Sequence, residues 1–341
     1  MTSDNSSFFY QALRGVSEAY LSKLPYQYRF PEHKVHNLIA VIRQDRTCEV
    51  AINQWDGIAE CRTKRSVEKG EPISEDDLLG VESLSKIDIE VPDDSGVLFV
   101  HTYSWRRALY FDYGPWVPGV ESSPRPAVSK LMGAATTLLM FQDRTNCSDS
   151  QWNEFFNQGW FPFITLQNRT VSKMQSYSAE KWPIDELLDE VRSDLLPRLP
   201  AIKVKARNSD IASGHAELIC RAIDHYLNGD DLSAVAIMYP RLEGILRSCA
   251  AGSKNNKNSQ ASLSRAPGLL SEAAGLNATI LMPERFEQYL REVYFASFDP
   301  NTPGAVNRNT VSHGVAPEQL MDTKAATLSL LILEHILYLA V

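Results

Sequence analysis

Apolar and polar positions along this 341-residue chain change period partway along, and the change separates two kinds of structure. Near the start, Phe9, Leu13, Val16, Tyr20 and Leu21 recur at helical spacing and predict a short amphipathic helix over residues 8–23. Residues 35–42 and 47–52 are β-rich runs separated by the polar Arg43-Gln44-Asp45-Arg46, the pattern of a hairpin. Residues 62–76 are charged and carry Gly and Pro, so they read as an exposed loop. Ile87, Ile89 and Val91 alternate with Asp88 and Glu90, which predicts a half-buried strand over residues 86–91, and residues 97–100 predict another. The aromatic-rich stretch 103–116 reads as a strand packing the sheet. A recognition surface is the sharper alternative there, because aromatic and Arg side chains anchor binding. Residues 130–140 predict a helix, and residues 150–156 predict a short one capped by Asp149 or Ser150. A compact apolar segment, residues 159–166, follows. Strands mixed with helices make this part α+β.

From Pro183 onward the strand pattern disappears. A helix over residues 184–195 ends near Pro197 and Pro200. The basic, Pro-interrupted residues 198–207 read as a linker, which sets a boundary between residues 1–205 and 206–341. Beyond it the pattern is helical. Residues 213–227 have Ser213 as N-cap and Gly229 as stop. Residues 231–250 carry Val235, Tyr239, Leu242, Leu246 and Cys249 as a packing seam, with a bend expected at Pro240. Residues 251–264, with Lys254-Asn255-Asn256-Lys257-Asn258, lack an apolar face and read as a mobile loop. Helices are expected at 268–274, at 283–294 with Pro283 in first position, and at 318–339. The C-terminal part is therefore read as an all-α helical bundle.

Composition narrows the function classes. With 44% apolar and 22% charged residues the chain is an ordinary globular one. Cys48, Cys61, Cys147, Cys220 and Cys249 form no CxxC pair and no export signal is visible, which suggests reduced thiols in the cytoplasm. The longest apolar run, residues 328–341, contains Glu334 and His335 and is shorter than a membrane span, so no membrane partner is expected. The net charge is -8, and residues 201–341 hold 13 Lys and Arg against 14 Asp and Glu. Most of the acidity thus lies in the N-terminal part, and the C-terminal part has room for a local basic site though not for a broad nucleic-acid face.

The candidate chemistry lies in Ala305-Val306-Asn307-Arg308-Asn309-Thr310-Val311-Ser312-His313-Gly314, just before the last helix. Arg308 is permanently charged and forked, suited to a phosphate, and His313 is the residue type that exchanges a proton near neutral pH. The bland reading is that His313 caps or packs a helix. Glu243 and Arg247, four apart, read first as an exposed helix pair. His215 and His225 read as polar-face residues and His335 as a core histidine with a partner. No spacing suggests a metal or a cofactor.

Arg308-Asn309-Thr310-Val311-Ser312-His313 resembles the Arg, polar, three variable residues, His signature of the HEPN superfamily, and it lies where that family places it. Residues 239–247 and Gly314 are similar to abortive-infection-type members, so the resemblance spans about residues 210–341. It implies a HEPN-like bundle acting as a metal-independent endoribonuclease, a toxin or antiphage effector, with no cofactor. It further implies catalytic Arg308 and His313, with Asn309 orienting the phosphate or the His ring, and Glu243 behind them. The implied partners are RNA (tRNA or mRNA), a second copy joined through the C-terminal domain, and a protein trigger or antitoxin. Residues 1–205 carry no comparable motif and are assigned a sensor or regulatory role. The competing expectation is a non-catalytic HEPN scaffold that binds a nucleotide or a partner. Exposure of Arg308 and His313 in one dimer cleft favours the enzyme, and burial of either in a core ion pair favours the scaffold.

Overall fold

Backbone pairing and burial follow the two periods, with a boundary set by packing. The computed structural model describes residues 1–3, 8–20, 26, 34–114, 127–251, 259–273, 281–299 and 306–340. The chain forms two compact units, Met1–Thr63 with Gly80–Gln142 and Lys64–Leu79 with Asp143–Val341.

In the first unit, β1 (Leu38–Ile42) and β2 (Cys48–Ile52) form the expected hairpin, with Ile42 opposite Cys48. Its turn is fixed by Asp45, whose carboxylate accepts the Thr47 N–H at 2.9 Å, and by Arg46 at φ 68°. β5 (Gly96–Tyr103) pairs with β1 and with β6 (Arg106–Asp112), giving the antiparallel order β2-β1-β5-β6. Period-two alternation supplies two cores. Leu38, Ala40, Leu98, Val100 and Leu109 pack with Phe9 and Leu13 of α1 (Phe9–Tyr20). Ile39, Val41, Val97 and Phe99 pack with Val128 and Met132 of α2 (Val128–Thr145). A two-stranded sheet of β3 (Gly57–Thr63) and β4 (Leu78–Lys86) follows in this region. α2 approaches β4 at Gly133, where a Cβ would stand 2.7 Å from the Glu82 backbone.

Two expectations change here. The strand expected at 86–91 ends at Lys86, because Ile87 is 67% exposed and the Lys86–Asp88 pair at 2.8 Å closes a turn. Residues 62–63 belong to β3, a strand whose exposed residues carry no alternation to betray it. Pro115 and Trp116 of the aromatic stretch, and Leu21 of the first helix, lie outside the described residues.

From Asp143 onward the second unit contains helices and no strands among its described residues. α3 (Asp149–Asn157) is capped by Ser148, one residue before the expected caps, through a reciprocal Ser148–Gln151 box. Trp160, Phe161, Phe163, Ile164 and Leu166 are fully buried, as the apolar run requires. α4 (Asn168–Glu180) and α5 (Leu188–Leu195) lead to α6 (Leu199–Asn208), which occupies the expected linker. Pro197 and Pro200 stand in the first turns of successive helical segments, where a missing N–H costs nothing, so they start helices instead of breaking one. Leu199, Ile202 and Ala206 are buried, and Arg198 pairs with the buried Glu334 at 2.8 Å. The division therefore falls near Gln142, not at residue 205, and residues 143–205 pack within the helical unit.

α7 (Ala216–Leu227), entered through a 3-10 turn at Ser213–His215, ends before Gly229 at φ 77°. α8 (Asp231–Ala251) contains Pro240, and α9 (Gln260–Ala273) starts earlier than the expected residue 268. The Lys254–Asn258 segment lies outside the described residues. α10 (Pro283–Tyr289) continues as a π-helical turn over Leu290–Tyr294. α11 (Arg308–Ser312) and α12 (Thr323–Leu339) close the chain. α12 is buried from Ala325 to Leu339, the property of a central helix apolar on all sides. Among the described residues no helix is long and apolar enough to cross a membrane.

Candidate active site

α11 is only five residues long, too short to persist by its own hydrogen bonds, so its ends and side chains must hold it. Asn307 caps it: its Oδ1 accepts the Thr310 N–H at 3.0 Å, and the Asn307 N–H donates to Thr310 Oγ1 at 3.0 Å. The Asn307–Thr310 spacing is a cap signature present in the sequence. Gly314, at φ 69°, turns the chain away at the other end.

Asn309 pins the helix to its neighbours. Its Nδ2 donates to the carbonyls of Phe295 and Ala296 at 3.2 and 3.0 Å, where the π-helical turn ends. Its Oδ1 accepts Arg308 Nη1 at 2.9 Å and Gln260 Nε2 at 3.0 Å. Both donors and both acceptor lone pairs of the amide are thereby used. Asn309 orients Arg308, and its hydrogen bonds among the described residues do not include the His313 ring.

Arg308 is fixed from a second side by Glu243 of α8, whose Oε2 accepts the Arg308 Nε–H. Glu243 Oε1 accepts Arg247 Nη2 at 2.6 Å, so one carboxylate joins two guanidinium groups. Glu243 is buried, with 7% exposure, whereas the side chains of Arg308 and Arg247 are 20% and 44% exposed. Burial opposes the Glu243 charge, but hydrogen bonds from Arg308 and then Arg247 outweigh it and hold the carboxyl below its ordinary range. Glu243 and Arg247 are therefore not the exposed pair their spacing suggests. They form part of a three-residue network with Arg308.

His313 is exposed and sits at the C-cap of α11, with its ring 5.7 Å from that of Phe298. Five residues at helical pitch place it roughly 140° around the axis from Arg308. The structure thus joins Arg308, Asn309, Glu243 and Arg247 and leaves His313 on open surface one short helix away. His313 is exposed, and Arg308 is partly exposed and ion-paired with Glu243.

His215, His225 and His335 have local roles. His225 Nδ1 lies 2.8 Å from Asp230 Oδ2. The ring of His215 rests on α8 at Gly244, where a Cβ would stand 2.8 Å from it. Burial and then nearby Arg241 lower the His215 pKa. His335 is fully buried, with Nε2 2.8 Å from the Leu281 carbonyl. Among the described residues, no group of three or more His, Cys, Asp or Glu is arranged to hold a metal ion.

No protein-family model, no curated protein and no solved structure matches this chain.

Proposed function

We propose that the chain is a metal-independent endoribonuclease of the HEPN type, acting on RNA as a toxin or antiphage effector. The observation that supports this reading is that α11 carries a partly exposed Arg308, held in place by Glu243 and Asn309, at one end and an exposed His313 at the other. RNA brings its own nucleophile. His313 takes the proton of the 2′-OH as its oxygen attacks phosphorus, and the 5′-oxygen leaves with a proton from a second acid. Arg308 and Arg247 face the charge that builds on the phosphoryl oxygens. A second copy of the chain, joined through its C-terminal part, supplies the acid as its own His313. The products are a 2′,3′-cyclic phosphate and a 5′-hydroxyl, and DNA, without the hydroxyl, is spared.

The test is incubation of the protein with total RNA and tRNA in EDTA, beside His313→Ala. Chelator-resistant cleavage with cyclic-phosphate ends, lost in the variant, is the expected result. Cleavage undiminished by His313→Ala removes that residue from the chemistry. The ion pair of Arg308 with Glu243 favours one other reading, a non-catalytic scaffold that binds a nucleotide or a partner. In that case a folded protein leaves RNA intact while Arg308→Ala lowers its thermal midpoint.

A further inference from the structure

A cavity of about 480 Å³ opens in the helical unit at the start of α11, between α8, the π-helical turn and the N-terminus of α12. A nearly buried polar side chain lines it with a hydroxyl that has no partner among the described residues. Tyr239 is 4% exposed, and its hydroxyl makes no hydrogen bond among the described residues. Asn307, also 4% exposed, stands at the edge of the cavity with its Oδ1 capping α11. The Tyr239 hydroxyl is not among the fully enclosed unsatisfied atoms, so a small molecule can reach it. Buried polar groups of this kind are ordinarily satisfied, and a ligand is one way to satisfy them.

The charge of the lining selects the sign of that ligand. Lys324 is spent, with its Nζ 2.6 Å from Asp185 Oδ1 and 2.9 Å from the Gln158 carbonyl. Asp322, at the exposed mouth of the cavity, pairs with no cation among the described residues, and its Oδ1 accepts the Ala325 N–H at 3.0 Å. Its field reaches Tyr239, where it adds to the burial that pushes the phenol pKa up and keeps the hydroxyl protonated. Leu328 and Ile332 of α12 supply an apolar wall.

We propose that this cavity binds a small organic cation with an apolar or aromatic body, its ammonium group donating to the Tyr239 hydroxyl and the Asp322 carboxylate. The site stands apart from the ribonuclease reading, although Tyr239 lies one helical turn before Glu243 and Asn307 directly precedes Arg308.

Calorimetric titration of the full chain with phenethylammonium chloride tests it, with 2-phenylethanol as the uncharged counterpart and AMP as an anion. The ammonium ion is expected to bind at least about tenfold more tightly than the alcohol, with no measurable AMP binding at this site. Tyr239→Phe removes only the unpartnered hydroxyl, and Asp322→Asn keeps a good helix cap, so both should fold with unchanged thermal midpoints. Each should weaken phenethylammonium binding by about fivefold or more. Equal binding of amine and alcohol, preference for AMP, no heat with the amine, or full affinity in both variants would overturn the proposal.

Discussion

His335 shows how one side chain ties the core of the helical unit to pH. Its ring sits among Phe161, Phe163 and Phe286 at centroid distances of 5.4, 5.8 and 4.2 Å. Nε2 must carry the proton to donate to the Leu281 carbonyl, and Nδ1 is buried without a partner. Burial outweighs that hydrogen bond and lowers the pKa from 6.5 to about 4. The unfolded chain therefore binds the proton more readily than the folded one. The stability present above pH 6.5 should fall as pH drops toward 4, by about 3 kcal/mol in all. Urea unfolding across this window measures the slope, and His335→Gln, which keeps a donor but does not titrate, should flatten it. An equal slope in the variant would assign the acid sensitivity to other groups. The identity of His335 as a core residue with a partner was legible from its apolar neighbours in sequence. Its partner, 54 positions away at Leu281, was not, because only packing brings that carbonyl to it.

At the scale of elements, α11 is the clearest case of structure imposed on a short sequence. A helix this short loses more to nucleation than its own bonds return, so the Asn307 cap and the anchors of Asn309 decide whether it forms. Asn307→Ala should cost about 1 kcal/mol, and Asn307→Ser, which retains a capping oxygen, only a fraction of that. Chemical denaturation of the three proteins side by side measures the difference, and equal losses for Ala and Ser would show that the cap oxygen is not what matters. The position of the motif before a final helix was readable from periodicity. The pairing of Arg308 with Glu243 was not, since 65 residues separate them and only the contact of α11 with α8 joins them.

For the whole molecule, the division near Gln142 changes what can be cut from the chain. A fragment of residues 206–341 would leave His335, Phe286 and Tyr289 without Phe161 and Phe163, and the buried Glu334 without Arg198. An unpaired buried carboxylate alone costs about 3–5 kcal/mol, which is a large part of an ordinary domain's stability. That fragment should show no cooperative unfolding and no near-ultraviolet dichroism of its buried tyrosines, while the full chain shows both. A fragment that unfolds cooperatively would restore the boundary at residue 205.

The sequence by itself determined the local period of most segments, and with it the hairpin of β1 and β2, the helices α5, α7, α8, α10 and α12, and the fully apolar character of α12. Those features follow from side chains close in the chain, which hydrophobic spacing reports directly. Only the tertiary structure decided that Pro197 and Pro200 begin helices, that Glu243 is buried between two arginines, and that Asn309 is spent on Arg308. Each of these depends on which distant element lies opposite, and burial then converts a surface ion pair into a fixed network.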